Sequence, residues 1–465
     1  MTAVYPQSLL HMRAKNTIFK GAFYLAVGAF VSKFLGAIYR VPLTNMLGGL
    51  GLGLYQMVFP VYCLLLDFSG AGLPSALSRL IASQTEDKEK TAKRLLINSA
   101  KLFFFFGIVA MLVMAIFAKP FSVLQGNEKA STAYLFLSPA ILAVAMISCL
   151  RGYFQGFVDM KPTAISQILE QVVKLLLGIV FVYLLKSNVS LAVGGATFAI
   201  TISEFIALFV LYRIYKNRQK TSIQDFVYDK KSFFIDAKTI IKTTIPITLI
   251  GILLPFSQVI DSILTINIIS GYRNDATALF GLLSGVVMTV INLPVSICYG
   301  LGSVAIPSIS NSASEEQKTN RATKILLLTC AVALPCFIGL AIFAPQVISL
   351  LFRSLSISEK ATAVKLLRLT SPCVLFLSIL QTSNSVFIGK GKLYTPVINL
   401  SVGVVVKIVL SVLLLSIPSI NIYGGAISIN ACYFTVCVIN LIKILNTKVK
   451  NETNHSYNRK FANQE

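Results

Sequence analysis

VSKFLGAIYRVPLTNMLGGLGLGLYQMVFPVYCLLLDFSGAGLPSALSRLIA, residues 31–82, decides how this chain folds. The stretch is apolar over most of its length, yet it carries Lys33, Arg40 and Asp67. A helix that crosses a bilayer needs about twenty mostly apolar residues. Two such helices fit here, over 17–43 and 54–81. Working outward, the same kind of run recurs at 95–118, 133–157, 163–185, 189–214, 240–268, 276–307, 322–352, 362–388, 393–417 and 422–445. These runs are continuous, whereas membrane barrel strands are about ten residues of alternating pattern. The expected fold is therefore all-α, a polytopic membrane protein of about twelve spans.

Composition agrees. Of 465 residues, 55% are hydrophobic and 13% charged, and the mean hydropathy is +0.77. A soluble fold of this composition would leave large apolar patches in water. The net charge of +23 does not point to nucleic acid, because the basic residues lie mainly in short segments between apolar runs. With a cytoplasmic N-terminus, 28 of the 41 Lys and Arg fall on the cytoplasmic side, six on the other, and seven inside spans. The positive-inside rule then places both termini in the cytoplasm of a bacterial-type inner membrane. The first apolar run reads as a retained helix rather than a cleaved signal. The eight cysteines read as small buried hydrophobes, with no zinc or disulfide pattern.

The chain divides into a first half, 1–214, a basic linker, 215–239, a second half, 240–446, and a polar tail, 447–465, which reads as disordered. The halves resemble each other. AIFA at 115–118 returns at 341–344, and GGA at 194–196 returns at 424–426. The charged loop EDKEKTAKR at 86–94 returns as EEQKTNRATK at 315–324. Phe154, Gly156 and Lys174 return 233 positions later as Phe387, Gly389 and Lys407. With six spans in each, the halves form a parallel repeat, and a substrate path is expected between two six-helix lobes.

Charges inside a membrane are costly and tend to be functional. The cations are Lys33, Arg40, Lys101, Lys174, Lys365, Arg368 and Lys407; the acids are Asp67, Glu170, Glu204 and Asp261. Lys33 and Arg40 are seven residues apart, which returns them to nearly one helix face about 10 Å apart. Such a pair suits a diphosphate, or it snorkels to headgroups. Glu170 precedes Lys174 by four residues, the favoured orientation for an ion pair, so Lys174 either pairs there or meets substrate. Lys407 has no acid within a turn and needs a partner from elsewhere. Lys365 and Arg368 read as interfacial. Asp67 and Asp261 either serve a coupling cation or neutralise buried cations. There is no Walker loop, HExxH or GxSxG, so the chain reads as no enzyme and no cofactor is implied.

Residues 31–82, with their SK…LG..YR.PL and GLYQ patterns, resemble the stage V sporulation protein B family, as does ATALFGLLSGVVMTVINLPVSICYGLGSVAIPSISNS at 276–312. That family lies in the multidrug/oligosaccharidyl-lipid/polysaccharide (MOP) exporter superfamily, related to lipid II flippases. The resemblance implies two lobes in a V around a cationic cavity, alternating access, and undecaprenyl-pyrophosphate-linked sugars as substrates. It marks Lys33 and Arg40 as essential cations of the first helix. Membrane lipids and cell-wall synthesis proteins are the implied partners. Lipid II flippases have fourteen helices, two more than are counted here. A cation-coupled multidrug exporter of the same superfamily and a non-transporting scaffold are the alternatives.

Overall fold

The computed structural model describes the backbone of residues 7–84, 87–218, 230–310, 312, 314–392 and 394–462, with most side chains over 31–446. Among the described residues every regular element is a helix. Eleven stretches are long and apolar enough to cross a membrane. The first two expected spans lie along one of them, Phe34–Ala82.

By internal contacts the chain forms two units. One comprises residues up to 47 and 57–256, the other 48–56 and 257–465. The first unit takes α1 (Gln7–Leu66) apart from residues 48–56, a π-helical turn at Asp67–Ala71, α2 (Leu73–Ala82), α3 (Lys88–Ile116) and the short α4 (Ala118–Leu124). It continues with α5 (Ser131–Gly156), α6 (Lys161–Leu185), α7 (Val189–Arg218) and most of α8 (Lys230–Ser270). The second unit has α9 (Ala276–Phe280), a π-helical segment at Gly281–Val287, α10 (Met288–Ser310), α11 (Glu315–Ile342) and the short α12 (Ala344–Leu351). It closes with α13 (Ile357–Thr370), α14 (Pro372–Gly389), α15 (Tyr394–Leu415) and α16 (Tyr423–Ala462).

Three expectations change. The run at 322–352 is two helices, α11 and α12, parted at Phe343. The run at 362–388 is two helices, because Pro372 at the start of α14 lacks the N–H that would continue α13. Lys365 and Arg368 are exposed on the polar α13, which is not one of the spans. The tail read as disordered continues α16 as helix to Ala462. Part of the 215–239 linker, 219–229, lies outside the described residues. The rest is helical: Asp236 on α8 is buried and accepts from Arg94 Nε (3.1 Å) and Asn98 Nδ2 (2.8 Å) of α3.

The sequence repeats coincide with repeated geometry inside each unit. Both AIFA motifs sit at a helix break. Phe117 (φ −91°, ψ 13°) separates α3 from α4, and Phe343 (φ −88°, ψ 17°) separates α11 from α12. The N–H of Asp159 donates to the Phe154 carbonyl at 3.0 Å, and 233 residues later Lys392 donates to Phe387 at 2.8 Å. Each of those turns contains one left-handed residue, Val158 (φ 60°) and Gly391 (φ 76°). The cores correspond as well: Ala92, Leu96 and Phe154 in one unit, Ala322, Leu326 and Phe387 in the other.

Residues 48–56 leave the first helix and join the second unit. The break is at Gly48, whose φ of 66° suits a residue without Cβ. Gly281 then faces Gly49 and Gly53, and Gly285 lies against the Leu52 side chain. A Cβ at Gly281 would stand 2.6 Å from the Gly53 nitrogen. The small residues Gly49, Gly53 and Gly281 let the backbones approach closely, a recognised mode of helix association in lipid.

Candidate functional site

In the first unit, α1 runs alongside α6. A Cβ on Gly28 would lie 2.7 Å from the Ala164 Cβ, and one on Gly36 would lie 3.3 Å from Gln171 Oε1. Farther along, Gly178 leaves room for the buried Tyr39; a side chain there would fall on the Tyr39 hydroxyl. Gly178 is one turn beyond Lys174, and Tyr39 directly precedes Arg40. This packing brings Lys174 into electrostatic range of Arg40, Cys63, Glu170 and Glu204. Arg40 is half-buried, and its carbonyl accepts from Thr44 Oγ1 at 2.8 Å. Lys33 lies on α1, but its side chain is outside the described residues. The expected Lys33–Arg40 stripe is thus untested, and the grouping that is described is Arg40 with Lys174.

Glu170 does not take Lys174. Its Oε2 accepts from Arg151 Nη2 of α5 at 3.2 Å, and its Oε1 accepts from Gln171 Nε2 at 3.0 Å. Arg151 is itself fixed, with Nε donating to Ser166 Oγ at 3.1 Å. Among the described residues no carboxylate lies within 4.0 Å of the Lys174 ammonium. Glu204 of α7 is only 5% exposed and interacts with Glu170, Arg151 and Lys174. The described cluster therefore holds three cations, Arg40, Arg151 and Lys174, against Glu170 and Glu204. Asp67 opens the π-helical turn and is half-buried. A Cβ on Gly251 of α8 would stand 3.2 Å from its Oδ1.

In the second unit, Lys407 is 5% exposed and closed off. Its Nζ donates to Asp261 Oδ2 at 2.8 Å and to Ser257 Oγ, both on α8. The partner expected from elsewhere is Asp261. Lys101, read from its sequence position as buried, is exposed on α3. Its long stem carries the charge away from the apolar surface, as such side chains do.

Reasoning from the sequence missed Arg151. It stands close to the end of α5, where a basic residue reads as a loop-side charge. One signal was available: Ser166, Glu170 and Lys174 recur every four residues on one face of α6, and a cation on a neighbouring helix completes that face.

Among the described residues, an all-helical fold with eleven apolar spans and charged side chains withdrawn from water in both units defines the class of a multi-pass membrane protein. The profile of the polysaccharide biosynthesis protein family matches residues 18–313, and the chain belongs to that family. It is 27% identical over 434 residues to "Lipid II flippase MurJ" of Bacillus subtilis (strain 168), covering 86% of this chain and 78% of that protein. It is 28% identical over 431 residues to "Stage V sporulation protein B" of the same organism, covering 90% and 81%. Among solved structures, an inward-facing multidrug resistance MATE family transporter of the MOP superfamily superposes with a TM-score of 0.74 at 15% identity, over 90% of this chain and 99% of that one. A lipid II flippase MurJ in an inward closed conformation gives a TM-score of 0.69 at 15% identity, over 90% and 87%. The resemblance read from residues 31–82 and 276–312 thus holds, and relatives named as a flippase and a transporter agree with the reading that the chain is no enzyme.

Proposed function

We propose that the protein is a flippase. It carries an undecaprenyl-pyrophosphate-linked cell-wall or polysaccharide precursor across the cytoplasmic membrane by alternating access, with both termini in the cytoplasm. The observation that carries this reading is Lys174, an ammonium inside the first unit with no carboxylate in ion-pair range among the described residues, grouped with Arg40. Lys174 is half-buried; a cation partly withdrawn from water without a partner is costly, and a diphosphate supplies the missing charge. Arg40 adds a planar fork suited to phosphate, and Lys33 on the same helix is assigned the same ligand. Asp261 balances Lys407, and Glu170 balances Arg151. Asp67, which has no ion pair within 4.0 Å among the described residues, is assigned to coupling.

An inside-negative potential favours outward movement of a diphosphate by roughly 2.3 kcal/mol per charge per 100 mV. The test is reconstitution in liposomes carrying an undecaprenyl-pyrophosphate-linked glycan in one leaflet. The protein should speed its appearance in the other leaflet without ATP, and faster under an inside-negative potential. Lys174→Gln and Arg40→Gln should abolish that acceleration. Equal rates for wild type, both variants and empty liposomes would defeat the proposal.

A further inference from the structure

The Glu170–Lys174 spacing is the one that ordinarily closes into an ion pair on a helix, yet Lys174 is left open. We infer that Arg151 is a positioning residue: it occupies Glu170 so that the charge of Lys174 remains available to an anionic ligand. This rests on the substrate site proposed above and adds to it a residue whose role is exercised through another.

Three observations converge. Both Glu170 oxygens are engaged, Oε2 by Arg151 and Oε1 by Gln171, and the carboxylate also interacts with Glu204. The guanidinium is anchored a turn away by Ser166, whose Oγ donates in turn to the Thr163 carbonyl at 2.8 Å. Arg151 therefore reaches from α5 to two points of α6 one turn apart. The fork geometry of a guanidinium can do this and an ammonium cannot.

The second unit supplies a natural comparison. The positions 233 residues after Arg151, Glu170 and Lys174 are Asn384, Gly403 and Lys407. There the arginine and the glutamate are both missing, and the remaining lysine is closed onto Asp261. The open lysine and the arginine–glutamate pair thus occur together in one unit and are absent together from the other. Charge accounting gives the same answer. Counted formally, the cluster of Arg40, Arg151, Lys174, Glu170 and Glu204 has three basic groups against two acidic ones. Without Arg151, two acidic groups face two basic ones, and Glu170 is free to fold onto Lys174.

The test uses the full-length protein in nanodiscs, with undecaprenyl diphosphate as the probe. Arg151→Gln should weaken binding by about tenfold, the size of one lost charge-assisted contact. The double variant Arg151→Gln, Glu170→Gln should restore binding to near wild type, and in a Lys174→Gln background Arg151→Gln should cost nothing further. An equal loss in that background would make Arg151 a direct ligand contact and overturn the inference. A double variant that is well folded but fails to bind would do the same. If Arg151→Gln alone does not fold, the double variant carries the test by itself.

A second readout needs no ligand. Acylation of Lys174 by a membrane-permeant amine reagent, followed by peptide mass spectrometry, should slow several-fold in Arg151→Gln and recover in the double variant. Unchanged labelling in Arg151→Gln overturns the inference even if wild type binds no diphosphate. Absent binding by wild type strikes the proposed function instead.

Discussion

Lys174 and Lys407 are the same residue of two repeated helices, each fourteenth in its helix, and their surroundings are opposite. Lys407 donates to Asp261 and Ser257 and is buried against α8. Lys174 has its neighbouring carboxylate drawn off by Arg151. The buried Lys407, paired within the protein, is part of the scaffold; the half-buried Lys174, with no carboxylate in ion-pair range among the described residues, is a site for something else. The duplicated helix supplied the charge twice, and the neighbours decided its use in each unit.

The largest expected effect tests the scaffold side. Lys407→Ala leaves the Asp261 carboxylate partly buried and unpaired, which should cost about 3–5 kcal/mol. It should show as loss of folded protein and a lower melting temperature in detergent. Lys407→Met combined with Asp261→Asn should recover most of that loss, since no buried charge is then left alone. A Lys407→Ala protein that melts like wild type would erase the contrast between the two lysines. The counterpart, Lys174→Met, should melt at or above the wild-type temperature while transport falls by more than about tenfold, a loss of at least 1.4 kcal/mol in the transport step. Reconstituted flipping measured alongside thermal unfolding separates the two cases.

A smaller effect sharpens how the open site is held. Gly178→Ala places a methyl against Tyr39 and should cost about 1–3 kcal/mol as an overpacked contact. Transport should fall with it, because Tyr39 and Arg40 move together. Chemical unfolding of the variant reads the first quantity.

The smallest predictions concern the repeated turn. Gly391→Ala should destabilise by about 1 kcal/mol, whereas Val158→Gly should stabilise by about the same amount, because a left-handed backbone is strained for a β-branched residue. Opposite signs in unfolding midpoints are the check. Equal signs would mean that the two turns are not equivalent.

Much of this was legible in the sequence because hydropathy and repetition are local properties. The spans, the AIFA repeat and the 233-residue offset all come from patterns along the chain, whereas the helix break at each AIFA does not, since 322–352 reads as one continuous run. Lys407 could be recognised as lacking a local partner, and Asp261 was already among the acids. What was not legible was tertiary choice. Glu170 had two cations available, one four residues away and one on another helix, and spacing alone favours the near one. Arg151 won because Ser166 and the α5–α6 packing fix its fork. Glu204 was visible as an acid within a span, but only the fold brings α7 to α6. The split of the tenth run at Pro372 was hidden because hydropathy averages across the proline.

The close approach of Gly49 and Gly53 to Gly281 has a consequence for how the gene can be divided. Residues 48–56 are encoded early, but they pack against Gly281 and Gly285. A coding sequence cut within 219–229 would yield a second polypeptide missing one of its own packing partners and carrying residues 230–256 of the first unit, and a first one carrying the helical segment 48–56 without its partner. Neither product is a self-sufficient domain, although each spells out one copy of the repeat. The boundary between the two repeats in the sequence is thus not the boundary between the two units, since residues 48–56 and 230–256 each lie on the other side of such a cut from the unit they belong to.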